Sequence, residues 1–348
     1  MDMKQESSCG DVGSPSSQRQ APSCESIPNF TAEELERATD GYSESRVVGH
    51  GDSSTVYKGI LPGNNHVVAI KKWFPLRRIQ VDQFTDEVKI LFKLNHNHLV
   101  RILGCSLETP VPILVYEYVP NGTLHHHIHD RPGSLSWEAR LRIAGETAGA
   151  VACVHSAIPG WPTHHRGIRS VDILLNNDLT AKVSDFAARL DRADCLVLER
   201  FFHSMKGYLE PDFFLLTSRL TQKSDVYCFG VVLAELLTGQ KPVSAARTAE
   251  DKNLGVFFLK NLREGTLFEM LEARVREEGR PDAVKAVAEV AGRCLMPREE
   301  ERPTMREIAE ELQSIRRLEK NAWAAEAPDN FCSTCAGESG SDNGRTFA

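Results

Sequence analysis

Two glycines, Gly49 and Gly51, stand between two short strand-like runs, Val47-Val48 and Thr55 to Lys58, and a third run carries Val68-Ala69-Ile70-Lys71 about twenty residues later. Few folds use this order. Glycines let a backbone turn tightly and approach phosphate closely, and an ammonium anchored on a strand neutralises phosphate charge. The third glycine expected of such a loop is replaced by Ser54, a small polar residue that weakens the match without excluding nucleotide. Lys71 needs an anionic partner. Glu87, in Phe84-Thr85-Asp86-Glu87-Val88, has the right location, with Asp86 as an adjacent competitor.

The rest of the pattern predicts an α+β chain of two lobes with a cleft between them. Strand-like runs Val47-Val48, Thr55 to Lys58, Val67 to Lys71 and Val111 to Tyr118 enclose one helical run, Val81 to Leu94, and define a small β-rich lobe over 47–119. A larger helical lobe follows over 120–320. In it Trp137, Leu141, Ala144, Ala148, Val151 and His155 recur at helical spacing, and Val226 to Leu237 is apolar on nearly all sides before stopping at Gly239. Ahead of both lobes, residues 29–46 read as a lead-in helix and linker, because Thr31 and Glu34 have capping-box spacing and Phe30, Leu35 and Ala38 share a face. Residues 1–28 and 321–348 are polar and read as disordered tails.

Bulk composition narrows the function classes. A net charge of −7 argues against nucleic acid as the main partner. Met1 to Gln20 lacks the apolar core of a secretory signal, and the longest apolar stretch is far too short to cross a bilayer. Asp2 stands where myristoylation needs glycine. The expectation is an intracellular protein, cytoplasmic or peripheral at the plasma membrane. Nine scattered cysteines fit reduced thiols, and the single Cys332/Cys335 pair reads as part of a disordered tail and not as a zinc ligand set.

Longer phrases give the chain a family resemblance. Leu94-Asn95-His96-Asn97-His98-Leu99-Val100, Leu114-Val115-Tyr116-Glu117-Tyr118-Val119-Pro120-Asn121-Gly122-Thr123-Leu124 and Leu179-Thr180-Ala181-Lys182-Val183-Ser184-Asp185-Phe186 resemble the protein kinases, and most closely the cytoplasmic domains of plant wall-associated receptor-like kinases. The resemblance covers about residues 29–318. It implies ATP and magnesium as the ligands of the cleft, held by Gly49, Gly51, Val56, Ala69, Lys71 and Glu87, with Tyr116 as gatekeeper and Glu117, Tyr118 and Val119 as the hinge that receives adenine. Asp172 and Asp185 would be the metal ligands.

Against the same family the catalytic loop departs. It reads His165-Arg166-Gly167-Ile168-Arg169-Ser170-Val171-Asp172, where the family has a catalytic aspartate at 167, a lysine at 169 and an asparagine at 172. Glycine offers no acceptor for the substrate hydroxyl proton, and losing a general base costs ~10²- to 10⁴-fold in rate, about 3 to 5 kcal/mol. Arg169 keeps the charge with a different shape, and Asp172 remains a carboxylate that magnesium accepts. Asp185-Phe186-Ala187 replaces the family's Asp-Phe-Gly, and Met205 stands where the substrate-contacting threonine is expected. Fold anchors persist at Asp225 and Arg302, with Asp212 as the expected ion-pair partner of Arg302.

His125, His126, His127 and His129 form a contiguous cluster. A contiguous set does not by itself present tetrahedral ligands, so these read as surface histidines at a polar helix start. His165 matches a structural histidine of the kinase fold. The expected function is a catalytically impaired kinase-like protein acting as a signalling adaptor or decoy, with an active kinase or an immune receptor as partner. The alternative is a low-activity serine/threonine kinase, since Lys71, Glu87 and Asp185 are retained.

Overall fold

A computed structural model describes residues 27–51, 54–63, 65–74, 88–89, 92–157, 164–184, 195–211, 213 and 220–326. Helix α1 (Ala32–Ala38) opens the fold. Its capping box forms as the spacing predicts: Glu34 N–H donates to Thr31 Oγ1 at 3.1 Å and Thr31 N–H to Glu34 Oε2 at 2.8 Å. Five antiparallel strands follow, β1 (Val47–His50), β2 (Ser54–Ile60), β3 (Val67–Trp73), β4 (Ile102–Ser106) and β5 (Ile113–Glu117), in the order β1-β2-β3-β5-β4.

Strand periodicity sorts this sheet into two faces. Val68, Ile70, Ile113 and Val115 pack with Leu35 and Ala38 of α1 on one side. Trp73, Leu114 and Tyr116 cluster with Val88 and Ile102 on the other, and Ala69 packs against them. Strand β4 was not anticipated from the sequence, and its edge is covered by the chain's own lead-in. Cys105 N–H donates to Pro28 O at 3.0 Å, and Phe30 N–H donates to Cys105 O at 2.8 Å. A side chain at Gly104 would meet the Phe30 ring at 2.6 Å, so this close approach requires glycine. Most of the predicted helical run 81–94, including Glu87, lies outside the described residues.

The helical lobe contains a two-stranded ribbon, β6 (Ile173–Leu175) with β7 (Ala181–Val183), and helices α2 (Trp137–His155), α3 (Cys195–Ser204), α4 (Gln222–Thr238), α5 (Leu254–Glu264), α6 (Leu267–Met270), α7 (Ala273–Glu278), α8 (Pro281–Cys294) and α9 (Met305–Glu326). Helix α4 is the core. Every residue from Ser224 to Thr238 is buried, Thr221 accepts from the N–H groups of Lys223 and Ser224, and Gly239 ends the helix at φ +67°. Helix α9 runs through Glu326, past the boundary expected at 320. No helix among the described residues is long and apolar enough to cross a membrane.

One ion pair differs from expectation. Arg302 donates from Nη1 to Glu210 Oε2 at 3.0 Å, and the same guanidinium donates to the carbonyls of Lys223, Met296 and Pro297. The partner is therefore Glu210, two residues before the expected Asp212, which lies outside the described residues. Arg302 is 2% and Glu210 8% exposed, so neither charge has water to fall back on. Glu210→Ala should destabilise the protein by about 3 to 5 kcal/mol, the usual cost of stranding one half of a buried pair. Chemical denaturation of the two proteins measures this directly.

Candidate functional site

The sheet register assembles the upper wall of the cleft. Gly49 pairs with Val56, Val56 with Lys71, and Lys71 with Leu114, while Ala69 pairs with Tyr116 in the adjacent row. Lys71 and Ala69 are two apart on β3, so they share the face away from α1. The Lys71 ammonium lies 5.5 Å from the Trp73 ring centroid. Tyr116 is 8% exposed, and burial pushes its phenol well above the ordinary range. At the hinge the Glu117 carboxylate accepts from Arg101 N–H at 2.9 Å and from Lys182 Nζ at 2.7 Å, and Lys58 Nζ lies 4.9 Å from the Tyr118 ring centroid. Gly51 closes the loop end, its N–H donating to Ser54 O at 2.8 Å. Leu174 of β6 packs into the cluster containing Ala69 and Tyr116, supplying a cleft residue that the sequence reading did not single out.

The lower wall is organised by one carboxylate. Asp225 on α4 is fully buried and accepts from His165 N–H at 2.6 Å, Gly167 N–H at 2.8 Å and His155 Nε2 at 2.8 Å. Burial alone would raise its pKa. The His155 hydrogen bond, the charges of His155 and His165 and the Gly167 N–H outweigh that and hold it below the ordinary aspartate value. His165 also bonds Ser184 O through Nε2 at 2.8 Å, in keeping with a structural role.

At Gly167 the backbone has φ +102°, a region L side chains avoid. A β-carbon added there would stand 2.9 Å from Met205 Sδ and collide with the Met205 methyl, and Cys228 Sγ would be 3.8 Å away. Met205, fully buried at the end of α3, thus fills the space a side chain at 167 would need. The absent base and the methionine in place of threonine are two halves of one packing solution.

A second pairing occupies the positions of the phosphate-contacting lysine and the metal-binding asparagine. Arg169 donates from Nε to Asp172 Oδ2 at 2.9 Å and from Nη2 to Oδ1 at 3.0 Å, and its N–H also donates to Oδ2 at 2.9 Å. Both groups are over nine-tenths buried. This bidentate clamp turns the Arg169 cation and the Asp172 carboxylate on each other. Asp172, expected as a metal ligand, therefore has both oxygens engaged by protein. Asp185, the other expected ligand, and Ala187 lie outside the described residues.

The His126 side chain is exposed as expected, but two of the four histidines are not on the surface. His127 is 5% exposed and donates from Nε2 to Asn121 O at 2.9 Å, while the His129 side chain is 1% exposed and meets Glu235 Oε1 at 2.8 Å. Tertiary packing under α4 buries them, a fact no local pattern carries.

The chain belongs to the protein tyrosine and serine/threonine kinase family, whose model matches residues 43–312. It is similar to the Arabidopsis thaliana wall-associated receptor kinase 5, at 43% identity over 88% of this chain and 42% of that protein, and to wall-associated receptor kinase 3, at 44% identity over 86% and 41%. The chain thus spans about two fifths of the length of these curated relatives. Among solved structures it is similar to the pseudokinase domain of BIR2, described as an immune regulator of the RLK/Pelle family, with TM-score 0.69 and 27% identity over 83% of this chain and 86% of that one. The family generally binds ATP and magnesium.

Restoring the missing carboxylate alone should not restore the site. Gly167→Asp is expected to cost about 1 to 3 kcal/mol for the strained backbone and a similar amount for the overpacked Met205 contact. Adding Met205→Thr should recover the second part, and denaturation of the four proteins of the double-mutant cycle reads the coupling. Asp225 gives a pH signature. A carboxyl with a folded pKa below its unfolded value contributes fully above about pH 4 and loses that contribution as pH falls through the folded value. Asp225→Asn should therefore cost about 3 to 5 kcal/mol at neutral pH, and its gap to wild type should narrow in melts below about pH 4.

Proposed function

We propose that this chain is a pseudokinase: a kinase-family domain that works by binding other proteins in signalling and does not transfer phosphate. The observation that carries the reading is Gly167 itself with Met205 packed against it, because the position of the base has no acceptor and the space beside it is taken by the end of a methionine side chain. The Arg169–Asp172 clamp supports it, since it withdraws a cation and a carboxylate from phosphate and metal. Similarity to receptor kinases and to a pseudokinase domain described as an immune regulator favours an active kinase or an immune receptor as the partner and a role in plant immunity. We place it in the cytoplasm or at the inner face of the plasma membrane.

The retained Lys71, on the cleft face beside Ala69 and Leu174, favours nucleotide binding without transfer. ATP with magnesium would sit between Gly49, Gly51, Val56, Lys71 and the hinge, with Glu87 orienting Lys71 and Asp185 holding the metal. In that arrangement Lys71 offsets phosphate charge and the apolar wall holds the base.

Incubation of purified protein with labelled ATP and magnesium is expected to leave the chain and a generic protein substrate unlabelled. Labelling abolished by Lys71→Ala would establish the low-activity kinase instead. In thermal melts ATP with magnesium should raise Tm, and Lys71→Ala should remove the rise. The metal dependence of that rise should disappear in Asp185→Ala and survive in Asp172→Ala.

A further inference from the structure

Beneath the catalytic loop lies a buried polar group that the nucleotide site does not use. Glu235 on α4 is 0% exposed. Its Oε1 meets His129 Nε2 and accepts from Ser170 Oγ, both at 2.8 Å, and its Oε2 accepts from the Tyr208 hydroxyl at 2.8 Å. His125, one turn before His129, sets Nδ1 3.3 Å from Ser170 Oγ, and the two imidazole centroids are 4.5 Å apart. One ring nitrogen of His125, one of His129 and a Glu235 carboxylate oxygen all lie within 4.8 Å of one another.

A carboxylate at this depth needs partners that offset its charge, and a bound cation is a strong one. Two imidazoles and one carboxylate, two of them from one helical turn and the third from a facing helix, form a nitrogen and oxygen set suited to zinc. We propose that His125, His129 and Glu235 bind a zinc ion that ties the π-helical turn His126–Asp130 to α4 beneath the catalytic loop.

Ligands around a tetrahedral zinc at about 2.0 to 2.1 Å stand roughly 3.3 Å from each other. The His129–Glu235 contact must therefore open slightly and His125 must swing inward, both by side-chain rotation. A proton moves when the metal enters: the one His129 Nε2 shares with Glu235 passes to Nδ1 in the neutral ring, or to solvent if the ring is charged. Ser170 and Tyr208 keep their hydrogen bonds to Glu235 and orient it as outer partners. Asp130, whose carboxylate is taken up by His126 at 3.0 Å, stays outside the set, and water completes the coordination.

Untagged full-length protein, stripped with chelator and titrated with zinc chloride, tests the site. One zinc per chain by elemental analysis, with a rise in Tm, is expected. His125→Phe, which leaves the His129–Glu235 contact untouched, should weaken zinc binding more than about tenfold, since loss of even an outer-shell partner is felt on that scale. If that variant does not fold, His125→Gln serves the same purpose. Cys332→Ser with Cys335→Ser should keep full binding. No bound zinc, zinc binding unchanged by loss of His125, or binding lost with the two tail cysteines would each overturn the proposal.

Discussion

The catalytic loop holds its shape because one buried carboxylate, Asp225, accepts hydrogen bonds from the backbone of His165 and Gly167 and from the ring of His155. These groups come from three places in the chain: the end of α2, the loop and α4. An ionised group with no exposed surface is stable only where donors converge on it. Each donor is therefore committed to one position, and the loop inherits the rigidity of α4, buried on every side. Gly167 keeps this backbone bond although it has lost the family's side chain. Its structural duty and its chemical duty are separable, because the first uses the N–H and the second a side chain.

That separation explains why losses in the site come in matched pairs. Removing a side chain at 167 leaves a void, which close-packed interiors do not tolerate cheaply. Met205 fills it. Placing a guanidinium at 169 and a carboxylate at 172 puts two charges into a site over nine-tenths buried, and they satisfy each other through a two-pronged bond. In each case a change that would destabilise the fold alone is offset by its neighbour. The resulting loop has its space filled and its charges paired.

How far the sequence carries this depends on whether the signal is local. The capping box at Thr31, the alternation that puts Lys71 and Ala69 on one face of β3, and the end of α4 at Gly239 are local rules and read directly. The missing base is equally legible, since it is one residue in a dense motif. Strand β4 escaped because Ile-Leu-Gly-Cys-Ser has no polar alternation and a glycine at its centre. The pairing of Arg302 with Glu210, the Arg169–Asp172 clamp and the depth of His129 depend on where distant elements meet. Glu235 lies 106 residues from His129, and no spacing rule spans that interval.

The matched pairs also bear on how such a domain would act. A site whose losses were unpaired would be loose, and its loop would sample conformations, at a cost in order for any partner that must recognise it. Here the void is filled and the charges are paired, which favours one arrangement of the loop. Recognition by another protein gains from that rigidity, because less conformational entropy is lost on association. Transfer gains nothing from it, because phosphoryl transfer requires a residue that takes up or orients the substrate hydroxyl proton at the reacting oxygen. The packing that fills the space beside Gly167 is thus also packing that orders the loop around it.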